Sequence, residues 1–396
     1  MRLLILLVGS SFFLQDTPPK PYLFSEEIVK HTLAEPSNYA YHKAAWQYSF
    51  VGEYQKALWS FEQVGVSYPN LSPEEKARFL SFRPALARDY ILGQAEQKQI
   101  IIINEAHHQP LHRVFTISLL EGLYERGYRF LGLEAVAHAD TVLNERGYPV
   151  LSSGYYTQEP QFGNLVREAL ELGYTVFPYE TQIRANGKER EIQQARNIEQ
   201  VVKANPDGKF FIHCGFDHIN ESEVPGWEKA MAGRVQEYTG INPCTINQEI
   251  LTEHFSRTTE NPYFQLVDTL NYPAVFVNDA NEVFHGGKED NRFDIRLFHP
   301  RTTYANGRPD WLLMDGQRSV YTISDSIISI DYPVLVKAYA ENERDDAVPI
   351  DVIELRAYPN EKSLILPEEK FRLLIINPKG DSLITHVEVR ANLTNE

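Results

Sequence analysis

The chain has 396 residues, 43% hydrophobic and 12% aromatic, enough apolar surface for more than one core and too much for a disordered or fibrous protein. Its 54 acidic residues outnumber 38 basic ones, giving a formal charge of −16, and no basic stripe with interleaved aromatics offsets this, so nucleic acid is excluded as a partner. Two cysteines, Cys214 and Cys244, are too few for a disulfide scaffold.

The elements follow in chain order. Met1 and Arg2 precede an apolar run from Leu3 to Leu14, the charged start and short core of a secretory signal peptide, placed here at residues 1–16. The run is too short to span a bilayer, so the expectation is a secreted or periplasmic chain with no transmembrane span. Residues 24–97 carry aromatics and alanines at helical spacing with few β-branched runs. Within them, in "AWQYSFVGEYQKALWSFEQVGVSYPN", Gly52, Tyr54, Ala57, Phe61 and Pro69 fall as in a tetratricopeptide repeat, which the segment resembles, with a degenerate neighbour at Pro73 to Leu92. One such unit is a helical hairpin, either packed in place or available to a protein partner.

Residues 98–265 alternate short apolar runs with amphipathic helices, the pattern of a parallel sheet with crossover helices. The runs end at Ile103, Leu133, Tyr179 and Cys214, and "LHRVFTISLLEGLYERG" and "QFGNLVREALELG" between them close on glycine, the residue a left-handed cap favours. Residues 266–320 read as a loop-rich extension of this core. From residue 321 to 396, alternating β-branched segments with turns such as "NPKGDS" predict a small antiparallel, sandwich-like β domain. The expected fold class is therefore α/β, a parallel-sheet core preceded by a helical hairpin region and followed by a small β domain.

In an open α/β sheet the ligand crevice lies at the carboxyl ends of the strands. Those ends carry ionisable groups in succession: Glu105, His107, His108 and His112 after the first, Glu134 after the second, Glu180 after the third, His213 and His218 at the fourth. Pro110 suits the first turn of a helix, which puts His112 and Arg113 at its positive end and biases an imidazole there towards the neutral form. A neutral histidine beside an ionised glutamate is what a general base needs. His213 also fits a hydrogen-bonded core position, because its strand neighbours are apolar, and Glu180 also fits a cap or an ion pair.

"NEAHHQPLHRVFTISLLEGLYERGYRFLGLEAV" resembles the opening strand, histidine loop and second strand of the ChaN and erythromycin esterase-like superfamily. "FFIHCGFDHINESEVPGWEKAM" is similar to its later G-x-x-H element, here Gly215 to His218, and "REIQQARNI", beginning at Arg190, is similar to a helix of the esterases. The sequence departs from the pattern at Asn104, where the family has glycine, and both the family's spacings are available, selecting His107 or His108. The resemblance implies a site lined by Glu105, His107 or His108, Glu134 and His218, and His112, Arg113, Glu180, Arg190 and His213 are expected beside it as binding residues. It implies hydrolysis by histidine-activated water, metal-bound water, or haem binding through a histidine.

The G-x-S-x-G elbow, H-E-x-x-H, paired C-x-x-C, the P-loop and G-x-G-x-x-G are all absent, which argues against serine hydrolases of that type, common zinc peptidases, zinc ribbons, NTPases and Rossmann dehydrogenases. Three readings stand. The first is an exported hydrolase acting on a small-molecule or peptide ester or amide. The second is a binding protein for haem or a divalent metal, ions that histidine and glutamate ligands suit. The third is a non-catalytic scaffold recruited through the helical region.

Overall fold

The computed structural model describes residues 20–390 except positions 66, 184, 186, 287–289, 291, 358, 360 and 361. The signal peptide read at residues 1–16 lies outside them. The fold is mixed α/β, with a six-stranded parallel sheet and several small antiparallel sheets. Among the described residues no helix is long and apolar enough to cross a membrane.

The parallel sheet contains β1 (Ile100–Glu105), β2 (Tyr128–Leu133), β3 (Thr175–Pro178), β4 (Lys209–Gly215), β5 (Cys244–Asn247) and β6 (Ile295–Arg296), in the spatial order β6-β5-β1-β4-β2-β3. Period-two alternation explains the isoleucine run. Ile101 and Ile103 pack on one face with α6 (Leu111–Glu125) and α7 (Pro160–Leu172). Ile100 and Ile102 pack on the other with α8 (Gly187–Ala204) and α9 (Met231–Thr239). All four are fully buried.

The order of connections fixes where a crevice opens. From β1 the chain crosses by α6 to β2 and by α7 to β3; it returns by α8 to β4 and continues by α9 to β5. Crossovers leaving β1 and β4 therefore run in opposite directions on opposite faces, although these strands are neighbours in register, Glu105 opposite Gly215. A sheet parts its loops at such a switch point, and ligands bind there.

Two strands were not legible as members of this sheet. β5 and β6 have only four and two residues, and β6 lies in the stretch read as a loop-rich extension. The segment Pro73 to Leu92 is not a second helical hairpin. It holds α4 (Pro73–Phe79), an extended Arg83–Leu86 and the start of α5 (Ala87–Ala95), and Arg83–Leu86 pairs antiparallel with Ala274–Val277. Pro84 disfavours helix for the residue before it, which suits this local extension.

At the N-terminal end, α1 (Ser25–Ala34) leads into α2 (Asn38–Phe50) and α3 (Tyr54–Glu62), which form an antiparallel pair turned at Gly52, where φ is +71°. A side chain there would also meet the Val352 carbonyl at 2.6 Å. The pair's apolar side, with Ala44, Tyr48, Val51 and Ala57, packs on Leu335 and Val352. Those residues belong to a four-stranded antiparallel sheet of β7 (Val334–Ala340), β8 (Asp351–Leu355), β9 (Lys370–Ile376) and β10 (Ser382–Glu388), in the order β8-β7-β9-β10. A ribbon of Ser319–Tyr321 against Leu364–Leu366 covers its other core.

Gly132 in β2 sits where a Cβ would lie 2.7 Å from both the Ile212 side chain and the Phe177 ring. Gly132→Ala is expected to destabilise the chain by about 1–3 kcal/mol through overpacking, read as a lowered urea midpoint with unchanged slope.

Candidate functional site

The site is built on two arginines, one on each face of the sheet, Arg113 buried and Arg190 partly exposed. Arg113, in the first turn of α6, has no solvent exposure and lies 5.0 Å over the Phe162 ring. Its Nε donates to Glu105 Oε2 (2.6 Å), its Nη2 to Glu105 Oε1 (2.7 Å) and to the His107 carbonyl (3.0 Å), and its Nη1 to Glu159 Oε2 (2.8 Å). Glu159 caps α7 ahead of Pro160, accepting from Phe162 N at 2.9 Å. Strand end and two helix starts thus meet on one guanidinium.

Burial alone would raise the Glu105 carboxyl, but Arg113 and the hydrogen bond from His107 outweigh it and hold it well below the usual carboxylate range. Glu159 goes the other way, because its burial outweighs the same arginine. His107 Nδ1 lies 2.7 Å from Glu105 Oε1, so Nδ1–H donates to the ionised carboxylate and the lone pair is left on Nε2. The ring stacks on Tyr156 (3.8 Å, 20°) and meets Phe216 edge-on at 5.0 Å. Its Nε2 faces Gly215, where a Cβ would lie 2.6 Å from it and 3.4 Å from Glu134 Oε2. Glycine at that position lets the His107 ring lie against the strand backbone.

On the other face, Arg190 in the first turn of α8 gathers the second set. It donates from Nη2 to Glu134 Oε1 (2.6 Å) and to Glu180 Oε2, from Nε to Glu180 (3.1 Å), and from Nη1 to His218 Nε2 (3.0 Å). Glu134 Oε2 accepts the Gly215 amide at 2.6 Å, which joins the two sets across the top of β4. His218 Nδ1 lies 2.9 Å from Glu191 Oε2, which also accepts the Met231 amide, and the ring stacks on Trp227 at 5.3 Å. Burial works against a charged His218, but Glu134 and Glu191 outweigh it and raise its pKa. The Arg190 contact favours the unprotonated Nε2 instead. A proton and Arg190 therefore compete for one lone pair, and the arginine holds the ring's pKa lower than the two carboxylates alone would set it.

Eight of the predicted residues meet here: Glu105, His107, Arg113, Glu134, Glu180, Arg190, His213 and His218. His213 is buried, 3.7 Å from Glu105 Oε2, with Nε2 lacking a hydrogen-bond partner; burial pushes its pKa down to about 4. His108 and His112 do not join them. His108 stacks on Phe61 (3.8 Å, 9°) and lines a separate cavity of about 30 Å³ with Tyr68, Glu249 and His254. His112 accepts the Ala106 amide on Nδ1 (2.9 Å) and stacks on His299, so it braces the turn between β1 and α6. It is neutral chiefly through burial, which lowers its pKa well below the ordinary value, rather than through its place at a helix start. Glu159, Glu191, Tyr156 and Trp46 were missed by sequence reasoning. Only Glu159 carried a local signal, an acid directly before a proline at a helix start.

The residues do not fit a metal centre. Among the described residues no three His, Cys, Asp or Glu side chains converge as metal ligands. The Arg190 guanidinium holds the position between Glu134, Glu180 and His218 that a cation would need. A cavity of about 650 Å³ beside α6 and α7 is large enough for a bulky cofactor but has no histidine in its lining.

No protein-family model and no curated protein matches the chain. Among solved structures it is similar to the type III effector HopBA1, at 14% identity and TM-score 0.34, covering 58% of this chain and 99% of that one. It is also similar to RRSP, a MARTX toxin effector domain from Vibrio vulnificus CMCP6 (14%, TM-score 0.32, 69% of this chain and 47% of that one). A structure described as bacterial protein toxins follows at 12% and 0.31, covering 56% and 44%. The chain spans about half the length of the last two.

Removing Arg113 strands two carboxylates in the interior. Arg113→Met is expected to cost about 3–5 kcal/mol, measured by denaturant unfolding. The unfolded chain protonates His213 near pH 6.5, while the folded ring resists to about 4, and His108 and His112 shift in the same direction. The unfolded state binds more protons in that window, so stability falls as pH drops through it. Thermal midpoints across the window are expected to slope less in His213→Asn.

Proposed function

We propose that the chain is a hydrolase that cleaves an ester or amide with water activated by His107, as its resemblance to the erythromycin esterase-like superfamily implies. The observation that carries this reading is the Glu105–His107 pair: a carboxylate kept ionised by Arg113, 2.7 Å from Nδ1, with no hydrogen bond to Nε2 among the described residues. In this reading Nε2 takes a proton from water while Glu105 stabilises the imidazolium that forms. His218, whose ring is raised by Glu134 and Glu191, returns a proton to the leaving group once substrate displaces Arg190 from Nε2. His107 rather than His108 is the base, since His108 Nδ1 has no partner to orient it and its ring faces the Phe61 side. The likeness of α2 and α3 to a single tetratricopeptide unit, and export directed by residues 1–16, belong to the same proposal.

The test is a screen of chromogenic esters and anilides, followed by single substitutions. Glu105→Gln and His107→Ala are each expected to lower kcat by about 10²–10⁴, the usual worth of a positioned base, with circular dichroism unchanged. His108→Phe, which retains the stack on Phe61, is expected to keep turnover, and chelator treatment to leave it intact. Wild-type turnover in both folded Glu105→Gln and His107→Ala overturns the proposal.

A further inference from the structure

We infer that the N-terminal helical pair is part of the substrate site, and that through Trp46 it recognises a flat apolar group on a neutral or cationic substrate. The bond cleaved rests on the hydrolase reading above; the binding does not.

Helix α2 has two faces with different duties. Ala44, Tyr48 and Phe50 pack with Leu335 and Val352 of the C-terminal sheet. Tyr39, His42 and Trp46, spaced three and four apart, form another face, with Trp46 at its border, where it also packs against the edge of that core. The Trp46 indole meets His107 at 6.5 Å and 74°, Tyr156 at 5.4 Å and 88°, and Tyr155 at 6.2 Å and 78°, all edge-on. Tyr39 meets it at 6.3 Å and 77°. Tyr156 in turn stacks on His107, and Phe216 closes the other edge of that ring with a backbone φ of +39°. Aromatics from three separated segments thus surround the imidazole proposed as base.

Packing alone does not account for this wall. Tyr39 is 67% and Tyr155 43% exposed, so the aromatic surface continues outward from His107 instead of closing into a core. Trp46 is itself only half-buried, so part of its ring remains accessible beside His107. Charge narrows the class further. Around the crevice five carboxylates, Glu105, Glu134, Glu159, Glu180 and Glu191, face two guanidinium groups, and both arginines are already engaged. That field repels an anion and tolerates a neutral or positive ligand.

The experiment reads binding without turnover, on the full chain. 2-Naphthamide, 1-naphthylmethylamine and 2-naphthoate, flat probes that are neutral, cationic and anionic, are titrated by calorimetry. The amide and the amine are expected to bind, the naphthoate at least tenfold more weakly. Trp46→Leu is expected to raise the Kd for 2-naphthamide at least tenfold, whereas Trp59→Phe, on the neighbouring helix, leaves it unchanged. In the wild type, 2-naphthamide is expected to protect His107 from diethyl pyrocarbonate, read by mass spectrometry, so a Trp46 variant that fails to fold does not stop the test. Equal affinity in folded Trp46→Leu, preference for the naphthoate, or no binding and no protection overturns the inference. Failure of every ester and anilide to be cleaved while the naphthyl probes still bind at Trp46 overturns only the hydrolase reading.

Discussion

A single buried guanidinium holds the site together. Arg113 has no exposed surface and binds Glu105 through two nitrogens and Glu159 through the third, so the end of β1, the start of α6 and the start of α7 cannot move independently. Its value is geometric. Removing three charges from water costs several kcal/mol per ion, which their mutual attraction offsets only with good geometry, so such a cluster is poor currency for stability alone. It does keep Glu105 charged in a place where burial would otherwise neutralise it, and that charge orients His107.

The same device recurs on the opposite face. Arg190 collects Glu134, Glu180 and His218, and Glu191 takes the Nδ1 side of His218 as Glu105 takes that of His107. Each imidazole has a carboxylate at Nδ1 and presents Nε2 towards the crevice, but one Nε2 is open and the other is engaged by an arginine. This difference separates a residue ready to accept a proton from one whose protonation depends on what Arg190 does. The bridge between them is Gly215 at the switch point, whose amide holds Glu134 and whose missing side chain lets the His107 ring lie against the strand.

The outer elements serve this centre through contact. The antiparallel sheet of β7 to β10 receives the apolar side of α2 and α3, and Asn164 and Arg167 of α7 reach the Ile350 and Val348 carbonyls beside it. The hairpin is thereby held at one end of the crevice with its aromatic face turned to His107. A helical pair whose apolar side is already covered by a sheet has little left to offer a peptide groove, and its open aromatics lie beside His107 instead.

Much of this was local enough to be written in the sequence. The isoleucine run, the glycine-closed helices and the ionisable residues at strand ends are consequences of period-two alternation, helix capping and the tendency of parallel strands to open at their carboxyl ends, and each acts within a few residues. They determined the parallel core and brought Glu105, Glu134, Glu180 and His218 under suspicion. Only the tertiary structure shows that His107 rather than His108 pairs with Glu105, because adjacent side chains on a turn diverge and one finds Glu105 while the other finds Phe61. It alone supplied Glu159, 46 positions from Arg113, Glu191, 27 positions from His218, and Trp46, since partners that far apart in the chain leave no periodic trace in it. It also turned His112 from a site residue into a brace, through a backbone amide whose direction no pattern of residue types encodes.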